Sequence, residues 1–173
     1  MRTTSALLAV LLCAVALSAC GSGTTSTGAN ALGAAASTTS TTHFAKTKFV
    51  LHTGLAFGAF HRYIYKPYKE GKFSGGLLHH KLATIKAALA AAFAYHEVKL
   101  ALQDARSSKI LSKAVSPLLA LQTKLSGLAS GLKSGNVDAS AITSANADAG
   151  ATGKAGAQAG QPVTDQPTPS LGG

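Results

Sequence analysis

The sequence has no tryptophan, two cysteines and six acidic residues in 173. Each shortage removes a class of function. Two cysteines allow at most one disulfide and cannot supply a metal site of four thiolates. Between residues 43 and 133 the carboxylates are Glu70, Glu97 and Asp104, against 14 Lys and Arg. General acid–base chemistry needs a carboxylate or imidazole held near a second catalytic group. Glu97 and Asp104 fall two helical turns apart, on one polar face. No Gly-rich phosphate loop follows a strand, no Gly-x-Ser-x-Gly elbow occurs, and His96-Glu97 has no second histidine four residues on, as a zinc-protease helix would. The expectation is a protein that is not an enzyme.

Also missing is any apolar run long enough to span a bilayer, which takes about 20 residues. The longest, Ala6 to Ala16, has eleven. It follows a short segment with one charge, Arg2, and precedes Leu17-Ser18-Ala19-Cys20. A charged start, a short apolar run and a small-residue exit make a secretory signal peptide. Ala19 suits an ordinary signal peptidase, but Leu17 in the third-last place does not.

Leu17-Ser18-Ala19-Cys20 instead resembles the lipobox of bacterial lipoproteins, a likeness confined to residues 1–20. It implies a diacylglycerol on the Cys20 thiol, cleavage just before that residue, and an extracytoplasmic protein anchored to the bacterial cell membrane. Two acyl chains hold a protein stably where one does not. Cys13 would leave with the signal and Cys20 would be consumed, so no thiol would remain for catalysis or metal binding.

The sequence therefore divides into a signal peptide (1–19), a lipidated cysteine with a tether (20–42), a helical body (43–134) and a tail (135–173). Gly21 to Thr42 is Gly, Ser, Thr and Ala, too poor in large side chains to fold, and reads as a flexible tether of about 25 Å. The first helix is expected over His43–Tyr65, with Thr42 as its N-cap, ending at Lys66-Pro67 because the residue before proline avoids helical dihedrals. Gly54 and Gly58 sit one turn apart and permit close backbone approach, to another helix of the core or to another protein.

The second helix, Leu77–Ser107, carries Leu78, Leu82, Ile85, Leu89, Phe93, His96 and Leu100 at helical period, a core-facing stripe. Lys86, Glu97 and Asp104 fall on the far side. The third, Ser108–Ser134, repeats the pattern with Leu111, Ala114, Leu118, Leu121, Leu125, Leu128 and Leu132; Ser116-Pro117 either splits or kinks it. Gly135-Asn136 is a stop. A weak fourth helix capped by Asp138 fits 137–150, anchored by Ile142 alone. The remainder, rich in Ala, Gly, Gln and Pro, reads as disordered. No stretch alternates with period two. The fold class is all-α, a small antiparallel three-helix bundle with this partial fourth helix.

Residues 43–133 carry a net charge of +11 and residues 134–173 carry −2. A basic body beside a lipid anchor favours anionic headgroups, anionic wall polymer or an envelope protein as partner. Nucleic acid would match the charge but is rarely met by a surface lipoprotein. The densest basic-aromatic segment is Arg62, Tyr63, Tyr65, Lys66, Tyr68, Lys69 and Lys72, with Phe73, a composition that suits a headgroup interface. The alternative function rests on histidine. A hairpin of the first two helices would place His61 near His79 and His80, a group able to take zinc or copper or to sense pH.

Overall fold

The computed structural model describes residues 30–74 and 81–171. The protein is all-α, with no strand among the described residues. Four long helices, α1 (Asn30–Phe60), α3 (Lys81–Arg106), α4 (Ser112–Lys133) and α5 (Ala139–Gln158), pack in sequence order, each against the next. The one-turn α2 (Lys66–Lys69) follows a π-helical turn (His61–Tyr65) at the end of α1.

α1 starts well inside the stretch expected as tether, and Thr42 lies in its interior, not at its cap. Residues 31–36, Ala-Leu-Gly-Ala-Ala-Ala, favour helix by propensity. Once residues 44–60 are packed, extending the helix avoids the cost of a new nucleus. The expected N-terminal region 1–29, with Cys20, lies outside the described residues.

Nor does the helix stop at Lys66-Pro67. Proline has no N–H, and its ring collides with the carbonyl four residues back. The chain meets this by widening the turn: the Lys66 N–H bonds to the His61 carbonyl, five residues back, and Pro67 enters at the first turn of α2. Gly71, at φ 68°, then ends the helix, with the Lys72 N–H bonded to the Pro67 carbonyl at 2.9 Å.

The core is large on α1 and α4 and small on α3. Phe49 and Phe60 from α1, Ile64 from the π turn, and Leu118, Leu121, Leu125, Leu128 and Leu132 from α4 are buried. Between them α3 contributes Ala87, Ala88, Ala90, Ala91, Ala94 and Ala101, all buried, with Val98 and Leu102. The α4 stripe is thus the expected one, on a single helix that contains Pro117. The α3 stripe is not: Leu82, Ile85, Leu89 and His96 are exposed. Alanine lets two neighbours approach α3 closely, and large side chains from those neighbours fill the space, as dense packing requires. Because α3 packs against both α1 and α4, its third side is left outward, and the leucines stand there.

α5 is a full helix of 20 residues, not a partial one. Asp138 caps it as expected, accepting a hydrogen bond from the Ala141 N–H at 2.9 Å. Ile142, Ala145, Ala149, Thr152 and Gly156 recur at three and four and are buried. Lys124 of α4 pairs with Asp148. Among the described residues the bundle therefore has four long helices, where three and a partial fourth were expected.

The tail is ordered as well. After Gly160, at φ 70°, residues 161–171 run back over α1 as an extended strap. The Gln166 N–H bonds to the Gly54 carbonyl at 2.9 Å. A Cβ on Gly58 would overlap the Gln166 carbonyl oxygen, and one on Gly54 would meet Thr164 O at 2.7 Å. The glycine pair does serve a close backbone approach, but its partner is this chain's own C-terminal segment.

Candidate functional site

The end of the bundle formed by the π turn, α2 and the turn to Ser74 gathers the basic-aromatic segment. Arg62, Lys66, Lys69 and Lys72 are exposed; Tyr63, Tyr65, Tyr68 and Phe73 are half-buried against the core. Tyr65 stacks on Phe60 with ring centroids 6.2 Å apart, and the Arg62 guanidinium lies 5.3 Å from the Tyr63 ring centre. The aromatics thus act as footings, and the cations are what the surface presents. Glu70 is the one carboxylate of the segment. Its hydrogen bond from Lys72, at 2.8 Å, and the charges of Lys72 and Lys66 hold it below the usual carboxylate range. Pairing with Glu70 leaves an excess of positive charge.

A shallow groove of about 540 Å³ runs between this end and the strap, lined by His61, Arg62, Tyr65 and Lys66 on one side and Asp165 to Thr168 on the other. His61 Nδ1 lies 2.7 Å from Asp165 Oδ2, and its Nε2 lies 3.1 Å from Asn146 Oδ1 on α5. Both ring nitrogens are engaged within the protein. The Tyr63 hydroxyl donates to the Pro169 carbonyl and accepts from the Leu171 N–H, each at 3.3 Å. The strap is therefore part of the groove, a contribution the composition of residues 151–171 gave no sign of.

A second polar cluster sits mid-bundle, between α1 and α3. His52 Nδ1 donates to Glu97 Oε2 at 2.7 Å, and His52 Nε2 lies 4.0 Å from Asp104 Oδ2. Glu97 is buried, so the polar side expected to face solvent faces α1 instead. Burial raises the Asp104 carboxyl above its ordinary range, against the opposing charges of His52 and Lys48. Its Oδ2 is buried without a hydrogen bond, as are Thr53 Oγ1 and Ser108 Oγ. Removing one partner of such a pair leaves the other charge buried without compensation, which is costly.

That register bears on the histidine group. His52 stands opposite Glu97, and Ala59 and Ala90 line one cavity, so His61 falls near the level of Ala88, about two turns inside α3. His79 and His80 lie outside the described residues. Among the described residues no group of three or more His, Cys, Asp or Glu side chains is arranged to hold a metal.

An apolar groove of about 400 Å³ lies on the other side of the same bundle end, between the start of α3 and the end of α4. Thr84, Ile85, Ala88, Leu89 and Leu132 line it, with Lys81 and Lys133 at its rim. No described helix is long and apolar enough to cross a membrane. No family model, curated protein or solved structure matches this chain.

Proposed function

We propose that this is a non-enzymatic cell-envelope lipoprotein, held by diacylglycerol on Cys20, whose basic end docks on an anionic membrane surface. The observation that carries the docking is the cluster Arg62, Lys66, Lys69 and Lys72, exposed on aromatic footings with Glu70 as its one acid. Each cation near an anionic leaflet contributes about 1 kcal/mol. Half-buried tyrosines at the same level suit the headgroup layer.

The anchor and this cluster belong to opposite ends of α1. That helix has 31 residues and is about 46 Å long. Ten Cα–Cα steps lead from Cys20 to Asn30, a reach of about 35 Å at most. Both ends touch one bilayer when the bundle lies with its helices along the membrane plane. Wall polymer and a partner protein are the other anionic or complementary surfaces within reach of an anchored body.

The test is vesicle binding by the chain from residue 20 onward carrying Cys20→Ser, which has no acylation site. Expected is retention on phosphatidylglycerol-containing vesicles that weakens with salt, as exposed charges are screened. Lys66→Gln with Lys69→Gln should weaken it by about 2 kcal/mol. Equal binding to neutral phosphatidylcholine vesicles, or no binding to either, would remove the docking surface.

A further inference from the structure

We infer that the outer face of α3 inserts into the bilayer: Leu82, Ile85 and Leu89 enter the acyl boundary of an anionic membrane, making α3 an in-plane amphipathic helix. The inference rests on the docking reading above and supplies its apolar half. The three side chains are 65, 56 and 54% exposed and lie one above another on a single helix face. They continue into the groove floored by Ala88 and Leu132, so the apolar surface is contiguous. Large contiguous apolar patches on a soluble surface mark interaction sites.

Charge selects the occupant. The groove's rim is Lys81 and Lys133, both exposed, and among the described residues no carboxylate lines it. An apolar face edged by lysine is the arrangement that anionic lipid attracts and then buries. A second copy docking by the same face would bring four lysines together with no acid to oppose them. The chain's own strap is engaged elsewhere: Leu171 ends in the seam formed by Ala59, Tyr63, Ala90 and Phe93. The stripe starts at the bundle end that carries Lys66 and Lys69, as the pairing of His52 with Glu97 and of Ala59 with Ala90 along α1 and α3 requires.

The helix is already folded and braced by α1 and α4, so insertion carries no cost of ordering it. Three half-exposed side chains of this size should together strengthen partitioning on the order of a hundredfold.

The experiment places a polarity-sensitive fluorophore at Ile85→Cys in the full chain, purified from its own membrane and reconstituted into vesicles holding doxyl-labelled lipid. The parent chain treated with the same reagent sets the background from Cys13 and Cys20. Ala147→Cys on α5, the helix diagonal to α3, is the comparison site. Expected is a blue shift and quenching by acyl-chain doxyl at position 85 in phosphatidylglycerol vesicles, and neither at position 147. Emission at 85 that stays water-like in those vesicles overturns the insertion, and so does a blue shift without doxyl quenching, which a second copy covering the face would give. Salt-sensitive vesicle binding by the Cys20→Ser chain would still stand in that case, so the two readings fail separately.

Discussion

Gly58→Ala tests the strap, the feature that most changes the shape of the basic end. In most helices this substitution stabilises by about 1 kcal/mol, because alanine lowers the backbone entropy lost on folding. At Gly58 the new Cβ would overlap the Gln166 carbonyl oxygen, a backbone atom that cannot rotate aside. The strap must lift. Lifting breaks the Gln166 N–H bond to Gly54, worth about 1 kcal/mol net, and the two long Tyr63 bonds, worth less. The His61–Asp165 pair, at a half-exposed carboxylate, adds about 0–1 kcal/mol. Contacts of about 2–3 kcal/mol are lost, while the freed segment regains chain entropy and the helix gains its alanine. The global cost is therefore small, about 1 kcal/mol, but the local effect is complete. Hydrogen exchange reads it: the Gln166 amide should lose its protection while α3 and α4 keep theirs. Gly127→Ala is the matched comparison, since nothing lies within 4 Å of its added Cβ. It should raise the melting temperature by about 2–4 °C. A Gly58→Ala protein that melts higher, like Gly127→Ala, with Gln166 still protected, would refute the strap.

Two further outcomes follow from the mid-bundle cluster. His52→Ala leaves the buried Glu97 carboxylate without its donor and should cost about 2–3 kcal/mol in urea unfolding, with His52→Gln recovering part of it. Asp104→Asn should raise the melting temperature at neutral pH. Burial lifts the folded Asp104 pKa above the unfolded value, so the protonated form stabilises the fold. That contribution is full below the unfolded value of 3.8 and is lost as pH rises through the raised folded value. The advantage of Asn over Asp should therefore fade as pH is lowered into the carboxylate range. A lower melting temperature for Asp104→Asn at neutral pH would mean that attraction from His52 and Lys48 outweighs burial.

The sequence carried the helices more surely than their facing. Period alone located α4 and its buried leucines, because Leu118, Leu121, Leu125, Leu128 and Leu132 form one continuous stripe of large side chains. α3 has a stripe of equal regularity, yet its first turns point outward. Alanine is apolar enough to be buried and small enough to be overlooked, and Ala87, Ala90, Ala94 and Ala101 form the face that packs. The same ambiguity hid the second half of α5, where Thr152, Ala155 and Gly156 look like low complexity until they are seen buried. Gly54 and Gly58 announced a close approach but not its partner, since nothing local connects position 58 to position 166. The exposed cations of the basic end were legible because unpaired charge stays in water. His52–Glu97 was not, because helix register is decided by tertiary contact. Pro67 lengthens the connection through a π turn where a stop was expected, and that shifts His61 along α3.

In the proposed function, a diacylglycerol on Cys20 would hold the basic end and the α3 face beside a bilayer. Mass spectrometry of the N-terminal fragment from the native protein measures this directly. A fragment that begins at Cys20 and carries a diacylglycerol on its sulfur is the predicted result. A fragment that retains residues before Cys20, or bears that cysteine as a free thiol, would contradict it.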